Sequence, residues 1–180
     1  MKHFIKYVVL FVFFFIGVSS FALELPPPGE FEIKTVENKD VLYVIHKKEN
    51  GHISNTLIKL IQYYLINESD TYQVLFPQLS LESKEISGSI YAIGYKGNPK
   101  ETKTVKTRTL SGGLFASYIY KGSYQTIGKA IRNTFLKVIT TGKYIPHENE
   151  EIRLLYWNSI DDNHPKDLIT EIQVRITKIR

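Results

Sequence analysis

Two stretches of the chain, 74 positions apart, carry the same strand-then-helix pattern, and this repeat limits the fold more than any other feature. Residues 41–47 (VLYVIHK) align with residues 115–121 (FASYIYK). Each is followed by a short turn and an apolar series at helical spacing. The series is Ile53, Leu57, Leu60, Ile61 and Tyr64 in the first copy, and Ile127, Ala130, Ile131, Phe135 and Val138 in the second. At the common offset Ile53 pairs with Ile127, Leu57 with Ile131 and Ile61 with Phe135. Apolar residues three and four apart form one stripe on a helix, which has to be buried. A repeat of this kind predicts two half-domains packed around a seam, and seams are where small molecules tend to be held.

Turn chemistry divides the chain into two βαββ units. In the first, residues 32–47 are strand material interrupted at Asn38-Lys39-Asp40. A turn at Glu49-Asn50-Gly51 leads to a helix starting at His52 or Ser54 and reaching about Ile66. Strands over 72–81 and 86–95 follow, closed by Gly97-Asn98-Pro99. In the second, Ser111-Gly112-Gly113 opens a strand over 114–121. Gly122 turns the chain, and Ser123 caps a helix that reaches about Thr141 and stops at Gly142. Strands over 152–158 and 168–177 complete it, separated by a polar loop. The last strand alternates: Ile169, Glu171, Gln173 and Arg175 face one way, Thr170, Ile172, Val174 and Ile176 the other, which predicts one polar and one buried face. The fold class expected is α+β: two pseudo-twofold-related βαββ units, with helices packed on a cupped antiparallel sheet. The repeats span about 31–97 and 111–178 within a domain of 31–180.

The first 22 residues stand apart from this domain. Lys2 and Lys6 precede an apolar run over 8–18, and Ser20-Phe21-Ala22 places small residues where a signal peptidase reads them. The run is shorter than the roughly 20 residues a spanning helix needs. The layout predicts a signal peptide and an exported protein, periplasmic or extracellular, in a bacterial host. The membrane is met through that segment alone, and only if it is left uncleaved. Residues 23–30, with Pro26-Pro27-Pro28, read as a stiff lead-in. The chain has no cysteine, so disulfides and thiolate metal sites are excluded. Without Lys2 and Lys6 the charge is +3, 21 basic against 18 acidic residues. Much of the excess lies in 96–108 (KGNPKETKTVKTR), where no aromatic residues interleave the charges as nucleic-acid stacking requires. We read that segment as a solvated linker or a ribbon between the halves, and expect no nucleic-acid partner.

The run Gly113-Leu114-Phe115-Ala116-Ser117-Tyr118-Ile119-Tyr120-Lys121-Gly122-Ser123-Tyr124 resembles the signature "G-x-(F/Y)-A-x-…G-x-Y" of the GyrI-like domain, the small-molecule-binding module also attached to AraC-type and MerR-type multidrug regulators. Arg153-Leu154-Leu155-Tyr156-Trp157-Asn158 is similar to the family's "R-E-x-Y-x-N" strand, and residues 170–176 (TEIQVRI) to its closing strand. The resemblance spans roughly residues 31–177 and is weaker in the first half. It implies a ligand cavity between the halves, lined by aromatic residues, with a buried glutamate as counter-ion for cationic compounds. At the matching position this chain has Leu154. A buried carboxylate without a partner is costly, so leucine removes both that cost and the basis for cation preference. The resemblance also implies, in some members, hydrolysis of small electrophiles by that glutamate, an activity this substitution disfavours.

No other residue pattern supplies a catalyst. His46, His52, His147 and His164 lack metal-ligand spacing, and His46 reads as a structural histidine on a strand. No nucleophile elbow and no phosphate loop is present. No helix-turn-helix pattern precedes the domain. The reading is therefore non-catalytic binding of a hydrophobic small molecule by a stand-alone exported domain. A hydrolase on the same fold and a protein-interaction domain are the alternatives. No cofactor and no metal is expected, and the oligomeric state is left open. The candidate ligand-binding residues are Leu154, Tyr156, Trp157, Tyr118, Tyr120 and Glu171. Tyr124 is expected to pack the second helix onto the sheet.

Overall fold

The computed structural model describes residues 25–47, 53–66, 72–82, 89–97, 99–147, 150–158 and 163–179. Residues 1–24, with the predicted signal peptide, and the turn predicted at Glu49-Asn50-Gly51 lie outside them. The strands are β1 (Phe31–Val36), β2 (Lys39–His46), β3 (Tyr72–Glu82), β4 (Ser89–Gly97), β5 (Lys106–Leu110), β6 (Gly113–Lys121), β7 (Tyr144–Pro146), β8 (Ile152–Tyr156) and β9 (Ile169–Lys178). The helices are α1 (Ile53–Ile66) and α2 (Ile127–Thr140).

The strands form one antiparallel sheet in the order β1-β6-β9-β8-β3-β4-β2-β5, with β7 added to β9. The duplication is legible in that order. Unit one, β2-α1-β3-β4, lies as β3-β4-β2, and unit two, β6-α2-β8-β9, lies as β8-β9-β6. The two meet where β8 pairs with β3. Each unit's outer edge is covered by the strand that leads into the other. β1 precedes β2 but pairs with β6, and β5 precedes β6 but pairs with β2. The register runs through without a slip: Val36 faces Gly113 and, after a two-residue connection on each side, Lys39 faces Leu110. Strands β1–β2 and β5–β6 are thus one long two-stranded ribbon that joins the two ends of the sheet and draws it into a cup.

Of the two readings of residues 96–108, a solvated linker or a ribbon between the halves, the structure shows the ribbon, whose strand Lys106–Leu110 begins in that segment. Its Lys106, Arg108 and threonines suit an edge, where charged side chains keep the open hydrogen-bonding row from pairing with other chains.

Alternation along the strands assigns two faces. Leu42 and Val44 of β2, with Ile93 of β4, meet Leu60 and Tyr63 of α1. The positions 74 residues on, Ala116 and Tyr118 of β6, meet α2 through Val138 and Ala130. The helix stripe is as expected: Ala130, Thr134 and Val138 are buried, and Ile127, Ile131 and Phe135 pack beside them. Ser123 accepts a hydrogen bond from the Gln125 amide, opening a 3₁₀ turn over Tyr124–Thr126 that feeds α2. Gly142 ends the helix with φ +63°, a left-handed conformation glycine adopts freely. His46 is structural, its Nδ1 2.8 Å from the Thr56 hydroxyl of α1. On the opposite face Val41, Leu81, Ile90, Ala92 and Leu110 form a second apolar cluster inside the cup, joined by Leu155.

The sequence pattern of β9 leads to one correction. Its polar face is not solvated: Glu171 is 3% and Gln173 5% exposed. β9 lies in the middle of the second unit between β6 and β8, so both its faces are covered, one by α2 and one by the interior of the cup.

Candidate functional site

Leu154, Tyr156, Tyr118 and Tyr120 come together on the face beneath α2. Leu154 packs with Ala130, Ile172 and Val174, and the three tyrosines surround that cluster. Even-numbered positions of β6 and β8 share this face because side chains alternate along a strand. The Tyr156 hydroxyl is 2.7 Å from the Ser80 hydroxyl, and its ring meets Tyr124 edge-on at 5.1 Å. Tyr124 therefore packs the entry of α2 onto the sheet, as expected, and burial pushes its phenol pKa up. Tyr120 bonds Thr126 through its hydroxyl. Between the register partners of Thr170, which are Tyr120 and Tyr156, the Thr170 hydroxyl is buried with no partner. Trp157 stands past the end of β8, half-buried. Its backbone N–H donates to the Ile169 carbonyl, while its indole N–H is buried without an acceptor.

These side chains are packed as core. Tyr156→Phe should therefore lower stability by about 1 kcal/mol, the net worth of a typical hydrogen bond. It should leave small-molecule affinity within about twofold. A urea unfolding curve and a dye titration on the same variant check both halves of that statement.

Glu171 lies on the other face, inside the cup. Its Oε1 accepts from the Ser117 hydroxyl at 2.8 Å, the Gln173 amide at 2.7 Å and the Lys34 ammonium at 2.8 Å. Burial alone would raise its pKa, but the hydrogen bonds from Gln173, Lys34 and Ser117 outweigh it and hold the carboxyl below its ordinary range. A carboxylate so engaged is a structural anion, poorly placed to accept a proton from a substrate or to attack one.

The open volume of the cup adjoins this face. A recess of about 370 Å³ is lined by Leu110, Leu155, Arg153, Gln173 and Lys39, beside the connection from β1 to β2. A second, of about 220 Å³, shares Leu110 and Arg153 and adds Phe115, Arg175 and Arg108. Together they form a hollow between the ribbon and strands β8 and β9. Two arginines grip the ribbon where it crosses: Arg153 Nη2 donates to the Ser111 carbonyl at 2.6 Å and Arg175 Nη2 to the Gly112 carbonyl at 3.0 Å. Both guanidiniums lie over the Phe115 ring, at 4.4 and 5.9 Å from its centroid. Arg108 makes two parallel hydrogen bonds to Glu151, at 3.0 and 2.8 Å, tying β5 to the approach to β8.

Of the six candidate residues, then, four share the helix face, Glu171 lies in the cup and Trp157 flanks β8. The sequence reading missed Arg153, Leu155, Gln173, Arg175 and Leu110. The available signal was parity: Arg153 and Leu155 occupy the alternate positions to Leu154 and Tyr156 and so face away from the helix.

No protein-family model and no curated protein matches the sequence. Among solved structures, the chain is similar to the C-terminal domain of EcmrR, at 14% identity and a TM-score of 0.65 over 84% of this chain and 99% of that one. It is similar to a hydrolase encoded by lin2189 from Listeria innocua, at 12% identity and a TM-score of 0.62 over 84% and 93%. It is also similar to SAV2435, whose structure was solved bound to tetraphenylphosphonium, at 12% identity and a TM-score of 0.51 over 82% and 94%. What the chain shares with them is the fold, the α+β arrangement expected from the GyrI-like resemblance: two pseudo-twofold-related βαββ units with helices packed on a cupped antiparallel sheet.

Proposed function

We propose that this is an exported domain that binds a small organic molecule without transforming it, in the hollow between its two repeats. The observation that carries the reading is the recess of about 370 Å³ in which Leu110 and Leu155 provide apolar wall and Arg153 and Gln173 polar anchors. Binding sites for small molecules are concave and mostly apolar, with a few placed polar groups. The fold neighbour bound to tetraphenylphosphonium adds support for small-molecule binding on this scaffold. Export rests on the layout of residues 1–22.

The hydrolase reading draws on one neighbour's description as a hydrolase. It needs a free acid facing the ligand. Leu154 cannot supply one, and the Oε1 of Glu171 is already engaged three times.

The neutral aromatic dye N-phenyl-1-naphthylamine, which fluoresces on leaving water, should bind the purified protein with saturable enhancement. Leu155→Trp, which fills the recess, should weaken that binding tenfold or more while leaving the circular dichroism spectrum unchanged. Undiminished binding by a folded Leu155→Trp variant places the site elsewhere.

A further inference from the structure

The charges around the hollow do not balance. Lys39, Arg108, Arg153 and Arg175 line its two recesses, against Glu37, Glu150 and Glu151. Most of these groups are committed. Arg108 is held by Glu151 in a bidentate pair. Arg175 has Glu150 at 3.8 Å as well as the Gly112 carbonyl. The nearby anion Glu171 is satisfied by Lys34, Ser117 and Gln173. Two cations remain without an acidic partner among the described residues: Arg153 and Lys39.

Arg153 is the unusual one. It is 8% exposed, deeper than arginines are found unless paired. Among the described residues one of its five N–H donors is used, on the Ser111 carbonyl, and the Phe115 ring covers one face of the guanidinium. That aromatic contact offsets part of the desolvation of the charge. It does not replace a counter-ion, because a buried charge needs pairing as well as hydrogen bonds. Lys39 enters from the β1–β2 connection and lines the larger recess with Arg153. The charge of Arg153 bears on Lys39. Burial lowers the pKa of each, the charges of Arg175 and Arg108 lower that of Arg153 further, and the charge of Arg153 lowers that of Lys39. The opposing influence of Glu151 and Glu150 on Arg153, and of Glu171 on Lys39, is smaller.

A purely structural role, gripping the ribbon at Ser111, accounts for one hydrogen bond. It does not account for an arginine placed on the wall of an open recess beside a second unpaired cation. The apolar surroundings also argue for an organic ion over a small inorganic one: Leu110 and Leu155 lie beside the cations, and Phe115 lies under Arg153.

Building on the binding reading above, we propose that the hollow takes an organic anion, a molecule with an apolar or aromatic body and one acidic group, whose negative end pairs with Arg153 and Lys39. The Arg153 fork receives the acid, Lys39 flanks it, and the body lies against Leu110 and Leu155.

A matched pair of probes tests this. 1-Anilinonaphthalene-8-sulfonate and N-phenyl-1-naphthylamine share one aromatic frame and differ by the sulfonate. At low ionic strength the sulfonate should bind at least tenfold tighter than the neutral dye, and the gap should narrow as salt screens the pair. Arg153→Met should bring the ratio near one, Lys39→Met should lower it severalfold, and Arg153→Lys should retain most of it. Lys129→Met, on the exposed side of α2, removes the same net charge and should leave the ratio unchanged. Equal affinities for both dyes, each abolished by Leu155→Trp, would overturn the anion assignment and keep the hollow as the site. A ratio that falls equally in Lys129→Met would overturn it as an effect of overall charge. Failure of both dyes to bind would overturn it together with the binding reading. The Lys39 and Arg153→Lys variants keep the test decisive should Arg153→Met fail to fold.

Discussion

Gly112→Ala should destabilise the protein by about 3 kcal/mol or more, the upper range for overpacking a close-fitted site. A Cβ at this position would lie 2.4 Å from the Val36 carbonyl oxygen, 2.7 Å from the Glu37 carbonyl carbon and 2.8 Å from the Asn38 nitrogen. All three are backbone atoms, so no side chain can swing aside. The neighbouring geometry is equally fixed, because the Gly112 N–H donates to Asn38 Oδ1 at 2.6 Å and its carbonyl accepts from Arg175. The clash falls where the two connections of the ribbon pass each other. Relieving it means separating β1–β2 from β5–β6, which hold the ends of the sheet together. The same substitution at Gly128 meets nothing within 4 Å, at an exposed position of α2. There alanine should stabilise by about 0.5–1 kcal/mol, through helix propensity alone. Urea midpoints for the two variants should therefore move in opposite directions. A Gly112→Ala midpoint within error of the parent would mean that the crossing is looser than its contacts imply.

Glu171→Ala should cost about 3 kcal/mol at neutral pH. Removing one partner of a buried pair leaves the other groups uncompensated, typically at 3–5 kcal/mol. We place this case at the low end because the Lys34 side chain is one-third exposed and keeps Glu32 at 2.7 Å. Ser117 and Gln173 have no such recourse: both donate to the lost carboxylate and both are buried. The pH dependence carries the sign. The folded-state pKa of Glu171 is lowered, so its ionisation stabilises the fold above the unfolded-state value of about 4.3. That contribution is lost as pH falls through the folded value. The deficit of Glu171→Ala should accordingly be full at pH 7 and shrink in acid, toward pH 3 and below. A deficit that is the same at pH 3 and pH 7 would show that Glu171 acts by filling space and not by charge.

The repeat, the helices and most strands were legible from local pattern. Stripes such as Ala130, Ile131 and Val138 have to be buried whatever the tertiary arrangement, and Ser123, Gly142 and Gly97 mark their own turns. The sequence allows either a solvated linker or a ribbon over 96–108, and the pairing that decides between them is a long-range fact. Nothing local tells residues 106–110 that they will pair with 39–43, and their basic residues and threonines fit a solvated segment equally well. The same limit applies to the candidate site. Alternation shows that Glu171, Gln173 and Arg175 share a face, but a polar face reads as an exposed one until a neighbouring element is known to cover it. Resemblance drew attention to Leu154 and Tyr156, which share the face under α2. Arg153 and Leu155 take the other parity, and only the curvature of the sheet turns that parity toward an open hollow.

The crossing at Asn38 and Gly112 has one further implication. Each repeat receives its outermost strand from the segment that introduces its twin, the connectivity expected if two copies of a single ancestral unit had once traded arms and were later fused. The halves are consequently interlocked partners: a polypeptide severed between 99 and 105 would yield two pieces that each lack an edge the other carries, and that should recombine into one body while neither stands alone.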